Sequence, residues 1–243
     1  MKIFTYELPT EFIAQRPIQP PEAAKLLITC PDAEIEETTF ASLPQHLGSG
    51  DLLVFNDTAP NIRQGSGDYQ DKIDDQTIFA KKAASVAVPT ASLHFTPELI
   101  SQLRASGKQV EFVTLQVGSS SSLCIESRQK PSSEQFEVSQ ETLNRLRRWK
   151  EAGGRVIAVG TTVVRALESA VRGMSGQTNL FITPRFRFEL VGGLITNFHE
   201  PQTTHLLLVE AFLGRKRLEE VYQYALQNRF RFLSYGDGML ITI

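Results

Sequence analysis

The feature that most constrains this chain is a local pattern that it repeats. Short apolar runs end in small polar residues, and a helical pattern follows. Asp51-Leu52-Leu53-Val54-Phe55 empties into Asn56-Asp57-Thr58. Arg155-Val156-Ile157-Ala158-Val159 empties into Gly160-Thr161-Thr162, ahead of a helix over Val163 to Val171. Leu194-Ile195 closes a third run and leads into Thr196-Asn197-Phe198-His199, then into an apolar helix that Thr203 or Thr204 opens and Gly214 stops. Pro89-Thr90 to His94 is a less regular instance. Runs this apolar are strands buried on both faces, and alternation with helices predicts an α/β fold. The expected architecture is a mostly parallel sheet, barrel-like or open, with surrounding helices and a single domain over 1–243.

Strands of a parallel sheet leave their carboxyl ends on one side, so the polar corners are expected to converge on one cleft. The rest of the chain fills in around them. Lys25 to Cys30, Ile35 to Phe40, Val110 to Val117, Leu180 to Ile182 and Phe186 to Leu190 read as further strands. Helices are predicted from Thr96-Pro97 to about Gly107, over Gln140 to Ala152 and over Leu218 to Gln227. Residues 64–76 are polar, acidic and glycine-containing, and read as a loop; Gly118 to Ser122 reads as a turn.

Net charge is −2 but unevenly spread: residues 141–243 carry 14 Lys+Arg against 9 Asp+Glu. This basic C-terminal half permits a phosphate backbone as partner, with solvated helix faces as the plain alternative. No apolar run is long enough for a membrane span, and the amino-terminal residues lack a signal core, so a cytoplasmic protein is expected. Cys30 and Cys124 are far apart and read as reduced packing thiols. His46, His94, His199 and His205 have no pair at metal spacing, so no metal is expected. Walker, dinucleotide-binding, zinc-protease and nucleophile-elbow motifs are absent.

Each polar corner has a plain reading beside the functional one. Asp57 suits an Asx-turn, Thr161 and Thr162 a helix cap, and Arg165 with Glu168 a surface ion pair. His94 and His199 suit hydrogen-bonded structural roles, His205 packing, and Tyr235 with Asp237 a turn before the last strand.

Taken in order, five stretches resemble one family: 51–58, 86–96, 155–162, 194–199 and 230–237. The family is the S-adenosylmethionine:tRNA ribosyltransferase-isomerases of the queuosine-modification pathway. The resemblance implies that S-adenosylmethionine is a substrate, giving its ribosyl unit to an aminomethyl-deazaguanine base in tRNA. Adenine and methionine leave, and epoxyqueuosine forms. Such chemistry needs a base for the C5′ proton that the sulfonium acidifies, and contacts to the ribose and adenine. Among matching positions Asp57, His94 and His199 are the acid/base side chains. Asn56, Thr58, Thr90, Thr161, Thr162 and Asn197 supply neutral hydrogen bonds, Arg165 suits a carboxylate or phosphate, and Tyr235 and Asp237 close the set.

The chain also departs from the family pattern. An inserted β-rich domain has no counterpart, because Arg63 runs almost directly into Gly65-Ser66-Gly67; the deletion falls near 64–67. Ala59 stands where an arginine is usual. The family's Leu-His-Val-Gly-Ala-Gly-Thr-Phe is Leu115 to Ser122 here, and His-x-Met-His-Ser-Glu is Gln129 to Glu134, so three histidines are missing. Two other readings therefore stay open. One is a related enzyme on a smaller nucleoside-like ligand. The other is a silent paralogue that binds RNA or a protein partner.

Overall fold

Side-chain alternation divides the core between the two faces of one sheet. A computed structural model of the chain describes residues 4–60, 77–79, 82–85, 89–116 and 133–243. Its strands are β1 (Lys25–Thr29), β2 (Glu36–Thr39), β3 (Asp51–Asn56), β4 (Thr58–Pro60), β5 (Lys82–Ser85) and β6 (Gln109–Leu115). They continue with β7 (Glu134–Glu137), β8 (Arg155–Val159), β9 (Gly176–Thr178), β10 (Val191–Asn197) and β11 (Gly238–Thr242). The helices are α1 (Leu43–His46), α2 (Pro97–Ala105), α3 (Gln140–Glu151), α4 (Thr161–Val171), α5 (Thr204–Leu213) and α6 (Arg215–Gln227). A short 3-10 helix spans Thr90–His94.

Nine strands form one open sheet in the order β2-β1-β11-β10-β8-β3-β6-β7-β9. Its centre, β10-β8-β3-β6, is parallel throughout. The flanks turn antiparallel: β11 against β10, β2 against β1, β7 against β6 and β9 against β7. The parallel centre is what brings the ends of β3, β8 and β10 to one edge. β4 and β5 pair separately as a two-stranded parallel ribbon.

Within β10, Leu194 joins one core and Ile195 the other, as the two-residue period of a strand requires. One face carries α4, α5 and α6, with Val163, Leu167, Leu206, Val209 and Tyr222 packed on Leu52, Val54, Ala158 and Leu194. The opposite face carries α2 and the 90–94 turn, with Phe95, Leu99 and Leu103 packed on Leu53, Phe55, Ile157 and Ile195.

Helix ends follow local chemistry. Thr96 caps α2 by accepting from Leu99 N at 3.2 Å, and Ser139 caps α3 by accepting from Thr142 N at 3.0 Å. Gly214, at φ +74°, ends α5 and begins α6 at one residue, a conformation L side chains rarely adopt.

One expectation needs correction. Leu180–Ile182 and Phe186–Leu190 are not strands; the chain between β9 and β10 is irregular. Side chains rather than a ladder satisfy part of its polar backbone. The Glu168 carboxylate accepts from Glu189 N, Leu190 N and Val191 N at 2.9–3.0 Å, and Arg165 Nε donates to Leu180 O at 3.2 Å. Ile182 and Leu190 still reach the core, which explains the apolar pattern. The loop expected at 64–76, the turn at 118–122 and Cys124 lie outside the described residues.

Candidate active site

The carboxyl edge of the central strands holds most of the polar residues singled out above, but on two sides of the sheet. Asn197, the last residue of β10, is 3% exposed and faces the α2 side. Its Oδ1 accepts from Thr90 Oγ at 3.2 Å, and its Nδ2 lies 3.2 Å from His94 Nε2. The same Nδ2 is 3.5 Å from the carbonyls of Gly236 and Asp237. His94 is stacked on Phe40, with ring centroids 4.1 Å apart, and bonds to the Pro21 carbonyl. That bond puts the proton on the other ring nitrogen and leaves Nε2 to accept from Asn197. Burial brings the imidazole down to about 4, against the raising effect of the Pro21 carbonyl. His94 is thus neutral and committed at both nitrogens.

Thr196, one residue earlier, faces the helix-rich side. Its hydroxyl lies 3.0 Å from His199 Nε2. The His199 backbone is held by two phenols: Tyr222 OH accepts from His199 N at 3.1 Å, and Tyr6 OH donates to its carbonyl. The imidazole packs beside His205, centroids 5.1 Å apart, and burial takes it well below the usual histidine range, with His205 adding to the effect. Tyr6, Tyr222 and Thr196 were not picked out from sequence. Only Thr196 lay inside a motif; the tyrosines carry no local signal.

At the end of β3 the Asx-turn belongs to Asn56, not to Asp57. Asn56 Oδ1 accepts from Thr58 N at 3.3 Å and from Leu115 N at 3.1 Å, while Nδ2 donates to Leu115 O at 3.0 Å. Thr58 Oγ donates to the same carbonyl at 3.3 Å. Asn56 and Thr58 therefore extend the β3–β6 pairing past its last backbone rung. Asp57 is half-buried; its Oδ1 accepts from Thr114 Oγ at 2.7 Å.

At the end of β8, Gly160 takes φ +97° and stands at the helix cap position with no side-chain cap, so neither Thr161 nor Thr162 caps α4. The Thr162 hydroxyl is buried without a hydrogen-bond partner, as is that of Ser92 in the 90–94 turn. The surface ion pair suggested for Arg165 and Glu168 does not form. Both side chains are buried, Arg165 pairing with Glu134 and Glu168 with Arg172. Asp237 clamps a turn: Oδ1 accepts from Lys25 N at 3.0 Å and Oδ2 from Arg231 N at 2.7 Å. Burial raises its carboxyl, and these donors pull it back. Tyr235 is half-buried within that turn.

The expected single cleft is thus split. His94 and Asn197 lie on one face of β10, His199 and Thr196 on the other, and they meet only across the sheet edge. Several arginines of the basic half are spent internally: Arg145 on Glu111, Arg155 on Asp51, Arg215 on Glu210 and Arg217 on Glu220. Among the described residues no group of three metal-ligating side chains occurs, and no helix is long and apolar enough to cross a membrane.

Comparison with known proteins gives one answer throughout. A family profile described as "Queuosine biosynthesis protein" matches residues 1–64 and 59–241. A protein of Halothermothrix orenii called S-adenosylmethionine:tRNA ribosyltransferase-isomerase is 34% identical, over 98% of this chain and 98% of that protein. One of the same name from Erythrobacter litoralis is 33% identical over 98% and 97%. The alignment to the first runs over 335 positions, more than the 243 residues of this chain, so the relative carries residues that this chain lacks. Among solved structures, the S-adenosylmethionine tRNA ribosyltransferase of Thermotoga maritima matches with TM-score 0.75 and 34% identity, over 98% of this chain and 99% of that one.

Proposed function

The chain belongs to the queuosine biosynthesis family of S-adenosylmethionine:tRNA ribosyltransferase-isomerases, and on that premise we propose how its own residues serve the reaction. The chain takes S-adenosylmethionine as ribosyl donor and a deazaguanine base of tRNA as acceptor. The donor lies across the carboxyl edge of β3, β8 and β10. His199 takes the C5′ proton. The single observation that carries this assignment is the hold on His199: two phenols fix its backbone and the Thr196 hydroxyl fixes its ring. Burial keeps the ring in its neutral, proton-accepting form while weakening it as a base, so the transfer relies on the acidity that the sulfonium gives C5′. Asp57, half-buried with one oxygen on Thr114, supplies a negative charge toward the sulfonium and ribose. His94, held at both nitrogens, acts as a positioning residue for Asn197.

Adenine is received between the Thr90–His94 turn and the start of α4, where the Ser92 and Thr162 hydroxyls have no protein partner. The tRNA approaches through exposed arginines of the basic half that make none of the ion pairs described above: Arg148, Arg185, Arg187 and Arg229. The chain is a single α/β domain without the family's inserted domain near 64–67. The family profile supports this by matching in two pieces that meet at residues 59–64, and the residues of that junction beyond Pro60 lie outside the described ones.

The test is release of adenine and methionine from S-adenosylmethionine in the presence of tRNA bearing the aminomethyl-deazaguanine base. The parent is expected to release both. His199→Gln is expected to lower the rate by about 10²–10⁴-fold, the usual contribution of a general base. A parent that releases neither product overturns the proposal, and a His199→Gln variant at parental rate overturns the assignment of the base.

A further inference from the structure

Beyond His199, on the same face of the sheet, lies a small cavity lined by Arg165, Leu180, Phe181, Ile182, Thr204, His205 and Leu208. Arg165 is 7% exposed. Its Nη1 is paired with Glu134 and its Nε donates to Leu180 O, but Nη2 is buried with no hydrogen-bond partner. A buried guanidinium nitrogen without a hydrogen-bond partner is costly, and this one lines a cavity. The cavity also meets the first turn of α5. That ten-residue helix has no side-chain cap, because the Thr203 hydroxyl turns back to the Glu200 carbonyl at 2.9 Å. Helix starts carry partial positive charge. His205, in the first turn, completes the wall and stands 5.1 Å, centroid to centroid, from His199. Burial and the Arg165 charge together bring its imidazole down to about 4.

We propose that Arg165 Nη2, His205 and the start of α5 form a subsite for a carboxylate, that of the amino-acid end of the sulfonium donor. This deepens the donor reading above and rests on it. His205 on the cavity wall packs beside the His199 ring, and in the donor the amino-acid chain and C5′ share one sulfur. A ligand with its C5′ at His199 therefore directs its amino-acid chain toward His205. A planar carboxylate, terminal on its chain, suits a small, partly open pocket. An internal phosphodiester, flanked by two riboses, does not enter it. Glu134 already neutralises much of the Arg165 charge, so recognition comes from the unpaired N–H, the helix start and the imidazole together.

Calorimetric binding of S-adenosylmethionine and of its decarboxylated analogue tests this, in the parent, Arg165→Lys and His205→Ala. Lysine keeps a cation for Glu134 but lacks the second guanidinium nitrogen. Circular dichroism and melting of each variant report whether it folds as the parent does. The parent is expected to prefer the carboxylate-bearing ligand about tenfold or more, as charge-assisted hydrogen bonds do. The preference should fall to within about twofold in both variants, with binding of the decarboxylated ligand little changed. A parental preference below about threefold, or one that both variants keep, overturns the subsite, leaves the donor reading standing, and means that the cavity holds water only. A parent that binds neither ligand overturns the donor reading and the subsite with it.

Discussion

Thr196 and Asn197 are consecutive residues of β10 that hold two histidines on opposite sides of the sheet. The Thr196 hydroxyl lies 3.0 Å from His199 Nε2, and the Asn197 amide lies 3.2 Å from His94 Nε2. The pleat alone separates them. A ligand that meets both histidines must cross the edge of the sheet, beyond the last rung of the ladder.

Asn197 joins the Thr90–His94 turn to β10 and to the 236–237 turn, in a largely buried setting. Asn197→Ala removes those bonds and leaves the Thr90 hydroxyl and His94 Nε2 without this partner. The expected loss is about 1–3 kcal/mol of stability, read from urea denaturation. A midpoint unchanged from the parent would show that these bonds contribute nothing.

His94 predicts a pH dependence. Its folded value, about 4, lies below the ordinary 6.5. Between those values the unfolded chain binds the proton and the folded one does not, so stability rises with pH. The contribution is complete above about pH 6.5 and lost as pH falls to about 4, amounting to roughly 3 kcal/mol. His205 is shifted the same way. Denaturation at pH 7, 5.5 and 4.5 should show the fall in the parent and a shallower one in His94→Gln. Equal slopes would rule out His94 as a source.

Glu168 is fully buried and accepts three consecutive backbone amides as well as Arg172. Glu168→Gln keeps the shape but loses the charge and turns an N–H₂ toward donors. A loss of about 2–4 kcal/mol is expected, with the 189–191 amides exchanging faster in hydrogen-exchange experiments. Protection equal to the parent's would show that the segment is held by its apolar contacts.

Gly236 tests the turn beside the site. A Cβ built there would lie 2.4 Å from the Arg231 carbonyl oxygen and 2.5 Å from the Phe232 carbonyl carbon. Both neighbours are backbone and cannot step aside. Gly236→Ala is expected to destabilise by about 2–4 kcal/mol and to weaken donor binding, because Asn197 reaches the same turn. Parental melting would mean that the turn opens without cost.

Much of the fold was legible in the sequence because burial leaves a local trace. β3, β8 and β10 are apolar on both faces and read as strands; α3 and α4 follow from their apolar spacing. The segments 180–182 and 186–190 misled because they are apolar too. What satisfies their backbone is Glu168 and Arg165, residues on a separate helix, and no local pattern reports that.

Local sequence settles the chemistry available: which polar residues end which strands, and, through the resemblance of five stretches, the family. Those are properties of short segments. Which of these groups face one another is a property of the packed chain. Side-chain direction at a strand end depends on register and pleat, and the partners of His199 (Tyr6, Tyr222 and Thr196) come from three separate parts of the chain. The same holds for Arg165, whose unpaired nitrogen emerges only when Glu134, Leu180 and the start of α5 are packed around it.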